Sequence, residues 1–163
     1  MAVAYEVRLE QVRPRILAAV REIMAPGQVG ARVIGLLDQV WPVLREQGAR
    51  AGHNVFVYHA GEDGMLTVDA GVEVFAGFTE RGAVRRMATP AGQAATTAHY
   101  GDYSGLGAAY TALEEWCART GRNPVGVNWE VYGDWTEDPA RLRTDVYFLL
   151  TQRAAGGTRA SGG

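Results

Sequence analysis

The sequence predicts an α+β domain: duplicated βαββ units related by pseudo-twofold symmetry, forming an antiparallel sheet with two helices on one side and a central ligand cleft. Two observations carry this. "NVFVYH" at Asn54–His59 returns as "NWEVYG" at Asn128–Gly133, 74 positions later (128 − 54), with Glu130 in the place of Phe56. The order of elements around each copy is also the same: strand region, helix, strand, strand.

In the first half, "YEVRLEQV" (Tyr5–Val12) alternates apolar with polar and reads as a strand, and "RILAAVREI" after Pro14 extends that sheet region. Val29, Val33, Leu36, Leu37, Val40 and Leu44 recur at helical spacing, and Gly48 is a suitable stop. Pro42 within that pattern predicts a kink or a new first turn. "NVFVYHA" and "MLTVDAGVEVFAGF" are two strands joined by the turn "GEDG". In the second half, "GAVRRMATPAGQAATTAHYGDYSG" is a strand region broken at Pro90 and Gly92, and "LGAAYTALEEWCARTG" is a helix ending at Gly121. "GVNWEVYGDW" and "RTDVYFLL" close the order as two strands. A Trp ahead of each closing glycine, Trp41 and Trp116, and a proline in each opening region, Pro14 and Pro90, add to the repeat. Residues 1–153 are expected to form one domain, with halves at about 3–80 and 82–150 and a small, polar, disordered tail over 154–163.

Composition narrows the function classes. The chain has 163 residues, 47% hydrophobic and 21% charged, and a formal charge of −2. That balance suits a globular core and offers no cationic surface for direct nucleic-acid binding. The cationic residues are all arginine, a pattern read as genomic composition bias. Cys117 is the single cysteine, which excludes an internal disulfide. No leader and no apolar run of membrane-spanning length is evident, so no membrane association and a cytoplasmic location are expected. His53, His59 and His99 are not grouped with cysteines, and neither a metal site nor a cofactor is expected. "GLGAAY" lacks the third glycine and parallel context of a dinucleotide fingerprint, and Ser104 lacks a nucleophile frame.

Glu130 is the residue that the repeat does not explain. In a strand, Asn128, Glu130 and Tyr132 share one face, and Val127, Trp129 and Val131 the other. The apolar set is expected to pack on the helices, which turns the Asn/Glu/Tyr set toward a groove between the halves. A carboxylate there costs stability unless it is compensated. One compensation is an arginine or partial exposure at the strand end. The other is a cationic or hydrogen-bonding ligand, or service as a catalytic base. Tyrosines on the same face would supply flat walls and hydroxyls for a planar ligand carrying delocalised positive charge.

"TPAGQAA" (Thr89–Ala95), "AHYGDYSGLGAAYTALEEW" (Ala98–Trp116), "NWEVYGDW" (Asn128–Trp135) and "TDVYFLL" together resemble the GyrI-like small-molecule-binding family over about residues 3–150. That family includes the effector-binding domains of bacterial multidrug-sensing regulators. The resemblance implies a duplicated βαββ fold with a central cleft, in which Glu130 matches the pocket glutamate and Tyr147 the aromatic of the final strand. The candidate ligand-binding set is Glu130, Tyr132, Tyr147, Tyr103, His99, Asn128, Phe56 and Trp135, and the expected ligands are hydrophobic, often cationic or polyaromatic molecules. Some stand-alone relatives hydrolyse cyclopropane-containing DNA-alkylating natural products. On that alternative Glu130 would activate water and Tyr147 or Tyr132 would stabilise the leaving oxygen. The family's regulators carry a helix-turn-helix domain; here the fold begins at about Tyr5, so DNA binding would have to come from a partner regulator. Gyrase is a further candidate partner, because the family is named for a gyrase inhibitor.

Overall fold

The computed structural model describes residues 4–152. The expected disorder of residues 154–163 lies outside the described residues. Eight strands and two helices follow one another as β1 (Arg8–Val12), β2 (Ile16–Met24), α1 (Val29–Gln47), β3 (Arg50–Ala60), β4 (Leu66–Ala76), β5 (Arg85–Ala88), β6 (Gly92–Tyr100), α2 (Leu106–Thr120), β7 (Pro124–Tyr132) and β8 (Arg143–Leu150). Every strand pairing is antiparallel, in the order β1-β6-β8-β7-β3-β4-β2-β5.

The order reads the same from either end. The units β2-α1-β3-β4 and β6-α2-β7-β8 meet at the central pair β3–β7, where Phe56 lies directly opposite Glu130. Phe56 and its repeat counterpart Glu130 therefore face each other across the pseudo-twofold axis. The outer strands are exchanged: β1, ahead of the first unit, pairs with β6 of the second, and β5, ahead of the second, pairs with β2 of the first.

This exchange corrects the expectation that β1 and β2 extend one another. They stand first and seventh in the order, about 29 Å apart if the sheet were flat at ~4.8 Å per strand. Only Arg13–Arg15 join them, and the four Cα steps from Val12 to Ile16 reach at most about 14 Å. The sheet must curl, bringing its two ends together over the helix-free face. Val12, Leu17, Val55, Val57, Ala94 and Trp129 accordingly form one buried cluster drawn from strands at both ends and the centre. Gly71 permits the tight approach of β4 to β2 on this face, since a Cβ there would lie 2.6 Å from the Ala19 methyl.

Both helices cover the convex face. Val33, Leu36, Leu37, Val40 and Leu44 of α1 pack on Ala18, Val20, Phe56, Ala70 and Val72, while Leu113 and Cys117 of α2 pack on Ala95, Val146 and Phe148. Gly48 and Gly121 end the helices in the left-handed conformation, with φ of 62° and 69°. α1 runs through Pro42 as a single helix. Pro42 and Asp38 are both exposed, so the carbonyl that Pro42 cannot bond is left to water. The core positions of the helices correspond at an offset of 73 (109 − 36, 113 − 40, 117 − 44). That register equates Trp41 with Glu114 and not with Trp116, so the two tryptophans are not a repeat match.

Candidate functional site

Glu130 is 5% exposed, and among the described residues no arginine pairs with it. Three phenols hold it. Tyr132, two residues on along β7, donates to Oε1 at 2.6 Å; Tyr58 of β3 donates to the same oxygen at 3.3 Å; Tyr110 of α2 donates to Oε2. Asn128 Nδ2 in turn donates to the Tyr110 oxygen at 3.2 Å. All three partners of Glu130 are donors, the arrangement a buried carboxylate needs. Burial first, and then the charge of Glu130, push the pKa of each phenol far above the ordinary tyrosine value.

The carboxylate lies on the convex face, directly across from Phe56 on one side and Val146 on the other. This corrects the expected face: the Asn/Glu/Tyr set points toward the helices, and the Trp129/Val131 set points into the curl. Strand alternation fixes which residues share a face. It does not say which face the helices take when both are buried.

Beside Glu130 opens a cleft of about 540 Å³ between α1, β3 and the end of β7. Phe56 and Tyr132 lie at its base, with ring centroids 5.3 Å apart at 76°. Tyr103, from the turn before α2, meets Tyr132 edge-on at 5.3 Å and 80°. Trp41 and Ile34 of α1 form one wall, and Trp41 Nε1 donates to Asn54 Oδ1 at 3.0 Å, which fixes its ring. Trp135, 74% exposed, stands at the rim on the segment after β7. That segment is tied back to β3 by the 2.8 Å contact of His53 Nε2 with Asp134 Oδ1.

Four of the candidates, Phe56, Tyr103, Tyr132 and Trp135, thus meet in this cleft, with Glu130 behind Tyr132. Asn128 touches the network from the other side, through Tyr110. His99 does not reach the cleft. It is buried, bonds the Tyr5 hydroxyl through Nδ1 at 2.8 Å, and donates from Nε2 to the Asp102 carbonyl at 2.9 Å. It supports the turn that carries Tyr103. Tyr147 is separated from Glu130 by the sheet itself: its cross-strand partner is Trp129, whose ring it stacks at 5.0 Å and 3° on the concave face. Glu130 and Tyr147 therefore stand on opposite faces of the sheet. Burial raises the Tyr147 pKa, Asp145 adds to the rise and Arg15 opposes it.

Sequence reasoning missed Tyr58, Tyr110 and Trp41 as site residues. Tyr58 was accessible through the repeat, as the counterpart of Tyr132 at an offset of 74. Trp41 continues an Ile34–Trp41 stripe beside the core stripe of α1, wider than one sheet contact requires. Among the described residues there is no His/Cys/Asp/Glu cluster fit for a metal and no helix long and apolar enough to cross a membrane.

A duplicated α+β domain with an aromatic cleft beside a buried glutamate defines a ligand-binding class of domain. The chain belongs to the GyrI-like small-molecule-binding family: the profile of the GyrI-like small molecule binding domain matches residues 5–151. Among solved structures, the EcmrR C-terminal domain is similar at a TM-score of 0.75 and 22% identity, over 93% of this chain and 100% of that one. In the EcmrR–DNA complex the match covers 58% of the longer EcmrR chain. SAV2435 bound to tetraphenylphosphonium matches at 0.61 and 12%, over 90% and 94%. A hydrolase from Listeria innocua matches at 0.57 and 9%, over 90% and 92%. At these identities the likeness is one of fold. No curated protein matches the chain in sequence.

Proposed function

We propose that the protein captures hydrophobic, often cationic or polyaromatic compounds in the cleft between α1 and β3, for drug sensing or resistance. The observation that carries this reading is the cleft itself: five aromatic side chains, Trp41, Phe56, Tyr103, Tyr132 and Trp135, around about 540 Å³, with the Glu130 carboxylate behind Tyr132. That volume falls in the range that holds drug-sized ligands. Burying about 300 Å² of apolar ligand surface favours binding by about 7 kcal/mol before the costs of association, and each good cation–π contact adds ~0.5–2 kcal/mol. With three such contacts set against an association cost of about 4 kcal/mol, the affinity reaches about the micromolar range at best, with broad shape tolerance. The tetraphenylphosphonium bound by SAV2435 has the matching chemistry and supports the choice of probe.

Capture is favoured over turnover because Glu130 is 5% exposed and already accepts from three phenols, which stabilise its charge and weaken it as a base for water. Tetraphenylphosphonium should quench tryptophan fluorescence with micromolar affinity, and the neutral triphenylphosphine oxide should bind at least tenfold more weakly. Equal affinity for both would defeat the charge argument, and the absence of any quench would defeat the site. Mass spectrometry after incubation with a cyclopropane-bearing alkylator should return it unchanged; a product heavier by one water would restore the hydrolase reading.

A further inference from the structure

The duplication that produced the cleft should have produced a second one, and the corresponding position in the other half holds a cavity of about 340 Å³. Its walls follow the repeat offsets. Tyr110 and Glu114 of α2 stand where Leu37 and Trp41 stand on α1, and Gly126, Val127 and Asn128 of β7 stand where Gly52, His53 and Asn54 stand on β3. The chemistry has changed with the duplication. The first cleft has an indole at the Trp41 position; the second has an exposed carboxylate, Glu114. Two rings adjoin it, Tyr110 and Phe148, with centroids 5.6 Å apart and tilted by 50°. Among the described residues, Glu114 has no ion-pair partner.

We propose that this second cavity is a separate ligand site, and that it takes a small organic cation of the quaternary-ammonium or aryl-ammonium type. Ring faces attract such a cation through their quadrupole, and an unpaired carboxylate at the mouth supplies its counter-charge without displacing a resident arginine. The smaller volume suits such a cation better than the bulky polyaryl cations assigned to the first cleft. The two sites share one piece of structure. Asn128, in the second cavity, donates to the Tyr110 oxygen, Tyr110 donates to Glu130, and Tyr132, at the base of the first cleft, donates to the same carboxylate. Each cleft therefore has a wall anchored on Glu130, and each can be filled without entering the other.

The test is a titration of the full chain, isotope-labelled on its backbone amides, with phenyltrimethylammonium alone and then with tetraphenylphosphonium at saturation. The amides of Glu114, Val127 and Asn128 should shift under both conditions. Glu114→Gln should weaken the phenyltrimethylammonium response about fivefold, while Trp135→Ala, at the exposed rim of the first cleft, should leave it within twofold. Shifts confined to His53, Trp135 and their neighbours, or an undiminished response in Glu114→Gln, would overturn the second site. The first titration contains no tetraphenylphosphonium, so failure of the first cleft to bind that cation is read separately. Both substitutions lie at exposed positions, so a lost response reports the ligand contact and not the fold.

Discussion

Replacing Tyr132 by Phe removes one oxygen and keeps the ring that forms the base of the first cleft. The hydroxyl donates to Glu130 at 2.6 Å, the length of a strong charge-assisted bond. Such bonds contribute about 1.5–3 kcal/mol, and the carboxylate is 5% exposed, so water cannot easily replace the lost donor. A destabilisation of about 2–3 kcal/mol is expected, roughly 5–10 °C in Tm for a chain of this size. Tyr58 donates to the same oxygen at 3.3 Å, and Tyr58→Phe should cost only about 1 kcal/mol. Urea denaturation at pH 7, followed by far-ultraviolet circular dichroism, measures both. A double-mutant cycle with Glu130→Gln should show a coupling of at least about 1 kcal/mol between Tyr132 and Glu130. If Tyr132→Phe stays within about 0.5 kcal/mol of the parent, or the cycle shows no coupling, the phenols do not hold the charge and the account of Glu130 fails.

Two further expectations concern tyrosines. Tyr147→Phe alters the concave face, where Tyr147 stacks on Trp129, and should leave tetraphenylphosphonium affinity within twofold; a loss of tenfold or more would place Tyr147 functionally with Glu130 despite the sheet between them. Tyr58, Tyr110 and Tyr132 have folded pKa values raised above the ordinary phenol value, so their neutral forms belong to the folded state. Their contribution is complete below about pH 10 and is lost as pH rises through the folded values. Absorbance near 295 nm at pH 11 should therefore report fewer than the seven tyrosines as ionised while the fold persists, with the remainder appearing only on unfolding.

Sequence periodicity carried the architecture far because the duplication left its marks on core positions. The repeated Asn-x-x-Val-Tyr segments located the two central strands, and the odd Glu130 located the network between them. What failed was the assignment of faces. Trp129 and Val131 read as the set that meets the helices, since in an open sheet the apolar face is the covered one. Here the three-residue join at Arg13–Arg15 folds the sheet over on itself, and Val55, Val57 and Trp129 are buried on the helix-free face as well. Nothing in the period-two pattern of β7 encodes a closure imposed from β1 and β2. The same closure hid Tyr147, whose chemistry suits a pocket but whose register with Trp129 puts it on the wrong side. His99 entered the candidate set through its motif, and its bonds to Tyr5 and Asp102 make it a support of the turn that carries Tyr103.

The exchange of outer strands bears on how such a protein could have arisen and how it can be taken apart. Each repeat finishes the other's border, β1 on β6 and β5 on β2, so neither ancestor-like half carries its own complete margin. Severing the chain between β4 and β5 would give two pieces, each presenting a bare row of amides and carbonyls that only the other piece, or another copy of it, can cap. The fused protein is in this sense a dimer whose subunits have been tied together after trading arms, and Glu130, opposite Phe56, marks one place where the two partners differ.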